Sequence, residues 1–170
     1  MNNPDSAILN SLFRGREWTL ATAESCTGGL LGDLITDQPG SSEFFLGGVI
    51  TYSNQAKCDL LGVGGDILQN WGAVSSPTAL AMAHGVRKLF GSSIGVAITG
   101  IAGPGGGSPK KPVGLVFIAV VGGGEETVER HIFSGDRQGI KRQAADRTLA
   151  LLQAAAKPFP DPRPVSPDDE

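Results

Sequence analysis

A chain of 170 residues with 40% hydrophobic and 18% charged residues is long enough to bury one good core, and its composition excludes a largely disordered protein. The formal net charge of −3 gives no broad attraction for nucleic acid, which depends on clustered Lys and Arg. No apolar run reaches the about 20 residues of a membrane-spanning helix, and two cysteines are too few for a disulfide framework. We therefore expect a cytoplasmic protein that binds neither nucleic acid nor membrane.

The first third of the chain is predicted to run helix, strand, turn, helix. Residues 18–23 are β-prone, and this strand stops at the segment 24–29, which ends in two glycines. A second helix is predicted over 30–35, before a Pro-Gly pair ends it. The first helix is indicated by the helical spacing of four apolar residues, Ile8, Leu9, Leu12 and Phe13.

Two helices follow a second strand in the middle of the chain. The strand is predicted over 47–53, and Asn54 is in a position to cap a short helix that carries Lys57. The Ser-Ser-Pro segment at 75–77 is typical of a helix start, because proline is favoured in the first turn. The apolar face of this longer helix is predicted to contain Ala79, Met82, Ala83, Val86, Leu89 and Phe90.

The last part of the chain predicts a strand, a glycine-rich loop, a hairpin and a closing helix. The small-residue run 93–99 predicts a strand that leads into 100–107, which we expect to be a loop because prolines follow it. Segments 113–121 and 127–133 predict the two strands of a hairpin. Residues 138–155 have the apolar stripe of an amphipathic helix.

The element order αβαβααβββα predicts the fold class. Strands interleaved with amphipathic helices, with a late hairpin, indicate an α/β fold, here a three-layer α/β/α sandwich with a mixed sheet. We expect one domain over 1–156. Residues 157–170 contain five of the eleven prolines and end in three acids, so they predict a disordered tail. The hairpin would present an open strand edge, and a homodimer would cover it.

Ser25 is the first candidate for chemistry, since it lies where a strand runs into a turn before a helix. Such a turn projects a hydroxyl from the edge of the sheet. The N–H groups of Thr27, Gly28 and Gly29 at the helix start are predicted to stabilise negative charge. The nucleophile and its oxyanion donors would then come from one segment. The alternative is that Ser25 or Thr27 only caps the helix.

A serine nucleophile needs a base to take its proton, and histidine is the usual choice. His84 lies midway along a predicted helix and His131 in a hairpin strand, and neither position suggests a catalytic triad. Lys57 is the alternative base, provided that burial lowers its pKa, and Tyr52 would relay or orient the proton. On position alone, an exposed helix lysine is the competing interpretation of Lys57.

The glycine-rich segment 100–107 indicates anion binding, because glycines let backbone N–H groups approach a phosphate closely. It matches neither the Walker nor the Rossmann pattern, and a flexible surface loop is the competing interpretation. Ser108 and Lys111 have the Ser-x-x-Lys spacing of penicillin-binding enzymes, but that arrangement needs a helical turn and the neighbouring prolines predict a loop. The chain contains no metal-ligand motif, so we expect no metal and no cofactor.

Together these segments resemble the C-terminal domain of the competence/damage-inducible CinA proteins, a domain that also occurs alone as nicotinamide-nucleotide amidase. The resemblance covers roughly residues 8–155. It is carried by six ordered blocks, Ala23-Glu24-Ser25-Cys26-Thr27-Gly28-Gly29, Gly48-Val49-Ile50-Thr51-Tyr52-Ser53-Asn54-Gln55-Ala56-Lys57, Gly72-Ala73-Val74-Ser75, Thr99-Gly100-Ile101-Ala102-Gly103-Pro104-Gly105-Gly106, Lys111-Pro112-Val113-Gly114 and Phe133-Ser134-Gly135-Asp136-Arg137.

The resemblance implies an α/β/α fold and hydrolysis of nicotinamide mononucleotide to nicotinate mononucleotide and ammonia without a metal. It implies Ser25 as the nucleophile, with Tyr52 and Lys57 in the proton-transfer roles. The substrate-binding residues that we predict with it are Thr27, Gly28, Gly29, Asn54, Thr99, Gly100, Ala102, Gly103 and Arg137.

Two features leave other functions open. Family members often have a second arginine on the last helix, where this chain has Lys141 and Arg142, and a lysine lacks the planar fork of arginine. For Arg137, a surface ion pair is the competing interpretation. A nucleotide-binding or regulatory module without turnover is the alternative class of function, and an amidase for another small carboxamide is a third.

Overall fold

The computed structural model describes residues 4–156, and a five-stranded mixed sheet lies at the centre of the fold. The strands are β1 Leu20–Glu24, β2 Phe45–Ile50, β3 Ile94–Gly100, β4 Leu115–Gly122 and β5 Glu125–Ile132. Their order across the sheet is β2-β1-β3-β4-β5. Strand β1 pairs in parallel with β2 and β3, whereas β4 is antiparallel to both β3 and β5. The hairpin predicted from the sequence is therefore the antiparallel half of the sheet.

Helices cover both faces of this sheet, which confirms the three-layer α/β/α sandwich. They are α1 Pro4–Arg14, α2 Leu30–Thr36, α3 Asn54–Leu61, α4 Gly65–Trp71, α5 Ser76–Phe90 and α6 Arg137–Ala155, with a 3-10 turn at Ser41–Glu43. Helices α1, α2 and α6 share one apolar core with the sheet, and α3, α4 and α5 lie against its other face. Within residues 4–156, no helix has an apolar stretch long enough to cross a bilayer.

The two cores differ in the size of their side chains. Large residues such as Phe13, Phe44 and Leu31 fill the core beneath α1, α2 and α6. On the other face α5 lies very close to the sheet, because a Cβ at Gly95 would come within 2.3 Å of the carbonyl oxygen of Ala83. The close approach of α5 therefore requires the glycine at position 95 of β3.

The topology indicates the end of the sheet at which a ligand would bind. The chain leaves β1 through α2 on one face and leaves β2 through α3, α4 and α5 on the other face. Ligands of open α/β sheets bind beyond the carboxyl ends of strands, where neighbouring connections diverge to opposite faces. In this chain β1 lies between β2 and β3 and is parallel to both, so that position is the edge of the sheet immediately after Glu24, Ile50 and Gly100.

The structure differs from the predictions at three places. Helix α4 was not predicted, because it starts at Gly65, has seven residues and buries none of them fully. Asn54 does not cap α3; it is the first helical residue, and the Ser53 side chain accepts the capping hydrogen bond from Ala56 N. Leu89, predicted on the buried face of α5, is 49% exposed. The tail predicted over 157–170 lies outside the described residues.

Candidate functional site

Ser25 follows β1 directly, and its backbone still belongs to the sheet. Its N–H donates to Ile98 O at 2.9 Å, so the β1–β3 ladder extends by one residue before the chain turns. The Ser25 hydroxyl lies 3.1 Å from Lys57 Nζ, within hydrogen-bond distance. The predicted nucleophile and the predicted lysine base are therefore in contact across 32 residues of sequence.

Lys57 lies on α3 and is a buried lysine, with only 1% of its surface exposed. Besides its contact with Ser25, Nζ donates to Thr51 O at 2.7 Å. Burial lowers the pKa of Lys57 below its ordinary 10.5, and the nearby thiols of Cys26 and Cys58 oppose this effect more weakly. Because the side chain is buried, the interpretation of Lys57 as an exposed helix lysine is wrong. An amine with a lowered pKa can accept a proton from a hydroxyl.

Cys26 is the neighbour of Ser25 and also faces the site, but it is not an activated nucleophile. The residue is buried, and burial raises the pKa of its thiol to about 11. The thiolate is the reactive form of cysteine, and it is scarce at neutral pH when the pKa is this high. Of these two side chains, the hydroxyl of Ser25 is therefore the better candidate for a nucleophile.

The turn after Ser25 is held by Glu24, a residue that the sequence analysis did not single out. Its buried carboxylate accepts hydrogen bonds from the backbone N–H groups of Gly29, Leu31 and Gly32 at 3.0, 3.1 and 2.8 Å. A carboxylate at a helix N-terminus satisfies free N–H groups and complements the helix dipole. Glu24 thus caps α2. An acid at the end of a strand, a few residues before a helix start, is the signal that was available for it.

Two of the three predicted oxyanion donors are engaged within this turn. The N–H of Gly29 donates to Glu24, and the N–H of Gly28 donates to Ser25 O at 3.2 Å, so both are already used. The simpler alternative is also wrong, because neither Ser25 nor Thr27 provides a side-chain cap for α2. Thr27 is fully buried, and its hydroxyl has no hydrogen-bond partner among the described residues.

A cavity of about 270 Å³ opens in front of Ser25 and Lys57, at the end of the sheet selected by the topology. It brings together most of the predicted site residues, namely Ser25, Tyr52, Lys57, Thr99, Gly100, Ala102, Gly103 and Arg137. Four predicted residues are not among its described lining residues, namely Thr27, Gly28, Gly29 and Asn54. The glycine-rich loop is thus a wall of the cavity and not a separate surface loop.

Arg137, the first residue of α6, connects the rim of this cavity to its glycine-rich wall. Nη1 donates to Gly103 O at 2.6 Å, and Nη2 donates to the hydroxyl of Tyr52 at 3.0 Å. Within residues 4–156 the guanidinium forms no ion pair with a carboxylate, so the competing interpretation of Arg137 as part of a surface ion pair is wrong. Tyr52 is 61% exposed at the rim, and its hydroxyl contacts Arg137 and not Ser25 or Lys57.

Ala73 and Val74, in the connection between α4 and α5, form a part of the cavity wall that the sequence analysis did not assign. Thr99 joins this connection to β3, because its hydroxyl donates to Ala73 O at 2.7 Å. Since this bond uses the only proton of the hydroxyl, Thr99 can only accept a hydrogen bond from a ligand. The segment 72–75 was among the blocks of the resemblance, which was the available signal.

Neither histidine lies in the cavity wall. His84 contacts Glu126 at 2.6 Å on the surface, and His131 contacts Glu129 at 2.7 Å on β5. This placement agrees with the prediction from sequence position that neither histidine belongs to a catalytic triad. Ser108 lies in a tight turn, as its flanking prolines predicted, and has no contact with a lysine amine in the described part of the chain.

Comparison with known proteins places these features in one family. The family model of the CinA C-terminal domain matches residues 3–156. The chain is 54% identical over 134 residues to a CinA-like protein of Geotalea uraniireducens, with 79% of this chain and 32% of that protein covered. It is 53% identical over 135 residues to a CinA-like protein of Syntrophotalea carbinolica, with 79% and 33% covered. The chain thus spans about a third of the length of these curated relatives.

Solved structures agree with the sequence comparison. The competence/damage inducible protein CihA from Agrobacterium tumefaciens has a TM-score of 0.87 and 39% identity, with 92% of this chain and 99% of that chain covered. The competence damage-inducible protein A (ComA) from Klebsiella pneumoniae has a TM-score of 0.85 and 35% identity, with 88% and 93% covered.

Proposed function

This chain belongs to the CinA C-terminal domain family, and from that membership we propose that it hydrolyses the carboxamide of nicotinamide mononucleotide to nicotinate mononucleotide and ammonia. One observation carries the proposal: the 3.1 Å contact between the Ser25 hydroxyl and the buried amine of Lys57 at the base of a cavity. A serine paired with a lysine of lowered pKa is an activated nucleophile. A serine that only capped a helix would not need a buried lysine beside it.

In the first step, the neutral amine of Lys57 accepts the Ser25 proton while Oγ attacks the carboxamide carbon. Lys57 is the immediate base in this proposal, because it contacts Ser25 directly and Tyr52 does not. A tetrahedral intermediate forms, its C–N bond breaks, and the nitrogen takes up a proton and leaves as ammonia. The product on the enzyme is an ester between Ser25 and the nicotinate carbonyl.

The leaving nitrogen needs a proton donor, and Tyr52 is suited to supply or relay it. The Tyr52 oxygen accepts its hydrogen bond from Arg137, so the phenolic proton remains available for donation. Tyr52 regains from Lys57 the proton that it gives to the nitrogen, so Lys57 is neutral again when ammonia has left. Water then attacks the ester and gives one proton to Lys57. The Ser25 oxygen recovers a proton from Lys57, and the enzyme returns to its starting state with nicotinate mononucleotide released.

The negative charge of the tetrahedral intermediate requires donors that are not already used. Gly28 and Gly29 donate within the turn, which leaves the N–H groups of Cys26 and Thr27, and of these two residues Cys26 lines the cavity. We assign the Cys26 N–H as the principal oxyanion donor. Thr99 would accept a hydrogen bond from the carboxamide nitrogen, which favours the amide substrate over the carboxylate product.

Arg137 and the glycine-rich loop are assigned to the 5′-phosphate of the substrate. The guanidinium is a cation without a carboxylate partner in the described structure, at the rim of the cavity. Gly105 and Gly106 line the same cavity, and glycines allow backbone N–H groups to approach an anion closely. A nucleotide would therefore lie with its pyridine carboxamide at Ser25 and its phosphate at Arg137.

Ammonia release from nicotinamide mononucleotide by the wild-type protein and by Ser25→Ala tests this function. We expect release by the wild type and a loss of at least 1000-fold in the variant. Equal rates in the two proteins would refute the assignment of Ser25 as the nucleophile. Calorimetric binding of the substrate without any turnover would instead select the alternative function, a nucleotide-binding or regulatory module.

A further inference from the structure

The last residue of α4 and the connection from α4 to α5, together residues 71–75, are held by an extensive set of side-chain hydrogen bonds. Backbone carbonyls in surface connections commonly bind water. Here each of the four consecutive carbonyls 71–74 accepts a hydrogen bond from a side chain. The donors are Lys111 for Trp71 and Val74, Ser75 and Thr78 for Gly72, and Thr99 for Ala73. The part of the cavity wall formed by this connection is therefore fixed in position.

Lys111 makes the longest-range of these contacts. Its Nζ donates to Trp71 O at 2.6 Å and to Val74 O at 2.8 Å, 40 and 37 residues away in the chain. Val74 lines the cavity, and the glycine-rich loop that precedes Lys111 lines it as well. Within residues 4–156 this ammonium forms no ion pair with a carboxylate. One lysine thus ties together two separate segments of the cavity wall.

Gly72 lies close to this amine. The residue has a φ of +76°, a conformation that favours glycine, and a Cβ at this position would lie 3.1 Å from Lys111 Nζ. Gly72 is also the C-cap of α4, and the absence of a side chain there leaves room for the Lys111 ammonium.

We propose that Lys111 is a positioning residue for substrate binding. By holding Val74 at a fixed distance from the glycine-rich loop, it sets the width of the cavity that receives the planar pyridine carboxamide. Lys111 is not among the described residues that line the cavity, so it acts through the wall and not by touching the ligand. The identity of the ligand rests on the proposed function, whereas the role of Lys111 concerns the cavity itself.

Binding of nicotinamide mononucleotide, measured by calorimetry in a Ser25→Ala background, tests this role without turnover. We expect Lys111→Met to weaken binding by tenfold or more and Lys111→Arg to recover most of the loss, because a guanidinium also donates to two carbonyls. The adjacent, exposed Lys110 provides the matched control, and Lys110→Met should bind within twofold of the parent. Equal affinity of Lys111→Met and Lys110→Met would overturn the proposal, and so would a parent that does not bind.

Fluorescence anisotropy of Trp71 in a Trp18→Phe background provides a readout that does not depend on the ligand. Lys111→Met should lower the anisotropy, since the Trp71 carbonyl loses its donor, and Lys110→Met should not. Lower anisotropy together with unchanged affinity would also overturn the proposal. Failure of the proposed amidase would be seen separately, as the absence of ammonia release by the wild type while the binding differences persist.

Discussion

The Ser25 hydroxyl and the Lys57 amine lie 3.1 Å apart, although Ser25 follows β1 and Lys57 lies on the helix that follows β2. Parallel pairing of β1 with β2 brings their carboxyl ends to one edge of the sheet. Thr51 completes the arrangement, because its carbonyl accepts from the Lys57 amine while its N–H donates to the carbonyl of Glu24. The Lys57 amine is therefore held in place by a stretch of backbone that is hydrogen-bonded to the residue before Ser25.

Lys57→Met should reduce kcat for nicotinamide mononucleotide by about 10²–10⁴, the usual contribution of a general base, with a smaller change in KM. Lys57→Arg should be similarly impaired, because a guanidinium does not lose its proton. Steady-state ammonia release provides the measurement. Lys88→Met, at an exposed lysine of α5, provides the control and should keep the wild-type rate. A Lys57→Met protein with the wild-type rate would remove Lys57 from the mechanism.

The lowered pKa of Lys57 predicts a pH dependence of stability. The unfolded chain has an ordinary lysine pKa near 10.5 and binds more protons than the folded state between the lowered pKa and 10.5. The free energy of unfolding should therefore rise with pH in that window, relative to Lys57→Met, and level off above it. The kcat/KM should rise through the same lowered pKa. Urea unfolding at several pH values tests the sign, and a difference that falls with rising pH would contradict it.

Cys26 should react slowly with iodoacetamide in the folded protein. With a pKa of about 11, about one thiol in a thousand is ionised at pH 8, and burial restricts access further. Cys58 is only partly buried and should be alkylated first. Peptide mass spectrometry after timed labelling distinguishes the two sites, with the urea-unfolded chain as the control. Faster labelling of Cys26 than of Cys58 would show that the thiol is activated.

Glu24→Gln should lower the free energy of unfolding by about 1–3 kcal/mol. The amide replaces one carboxylate oxygen by an NH₂ group, which cannot accept hydrogen bonds from the start of α2, and the charge is lost. Glu43→Gln is the matched control, since Glu43 forms a surface ion pair with Arg14 and surface pairs contribute about 0–1 kcal/mol. Equal urea-unfolding midpoints for the two variants would indicate that the Glu24 cap contributes little to stability.

Arg137→Met should raise KM for nicotinamide mononucleotide by about tenfold to 100-fold, the loss expected for a charged hydrogen bond. It should have a smaller effect on nicotinamide riboside, which lacks the phosphate. Comparison of both substrates separates a phosphate contact from a general disturbance of Tyr52 and Gly103. Arg142→Met on the same helix provides the control, because Arg142 pairs with Asp146. An equal rise in KM for both substrates would show that Arg137 does not bind the phosphate.

The parts of the site that could be predicted from the sequence are those that depend on strand ends. A serine after one strand and a lysine just past the next are brought together by parallel pairing, and glycines beside a third strand join them. The role of Glu24 was not predicted, because an acid between a strand and a helix is only a weak signal and a carboxylate that accepts three backbone N–H groups has no fixed sequence spacing. Helix α4 and the contacts of Lys111 depend on tertiary packing that leaves no hydrophobic periodicity.

The mixed character of the sheet also determines where the protein can be altered. Because β4 runs antiparallel to β3, the glycine turn between β4 and β5 lies at the opposite end of the sheet from Ser25. Eight residues of strand separate the two ends by about 25 Å. A fluorescent tag or an affinity peptide inserted at this turn would report on the domain without approaching the reacting groups.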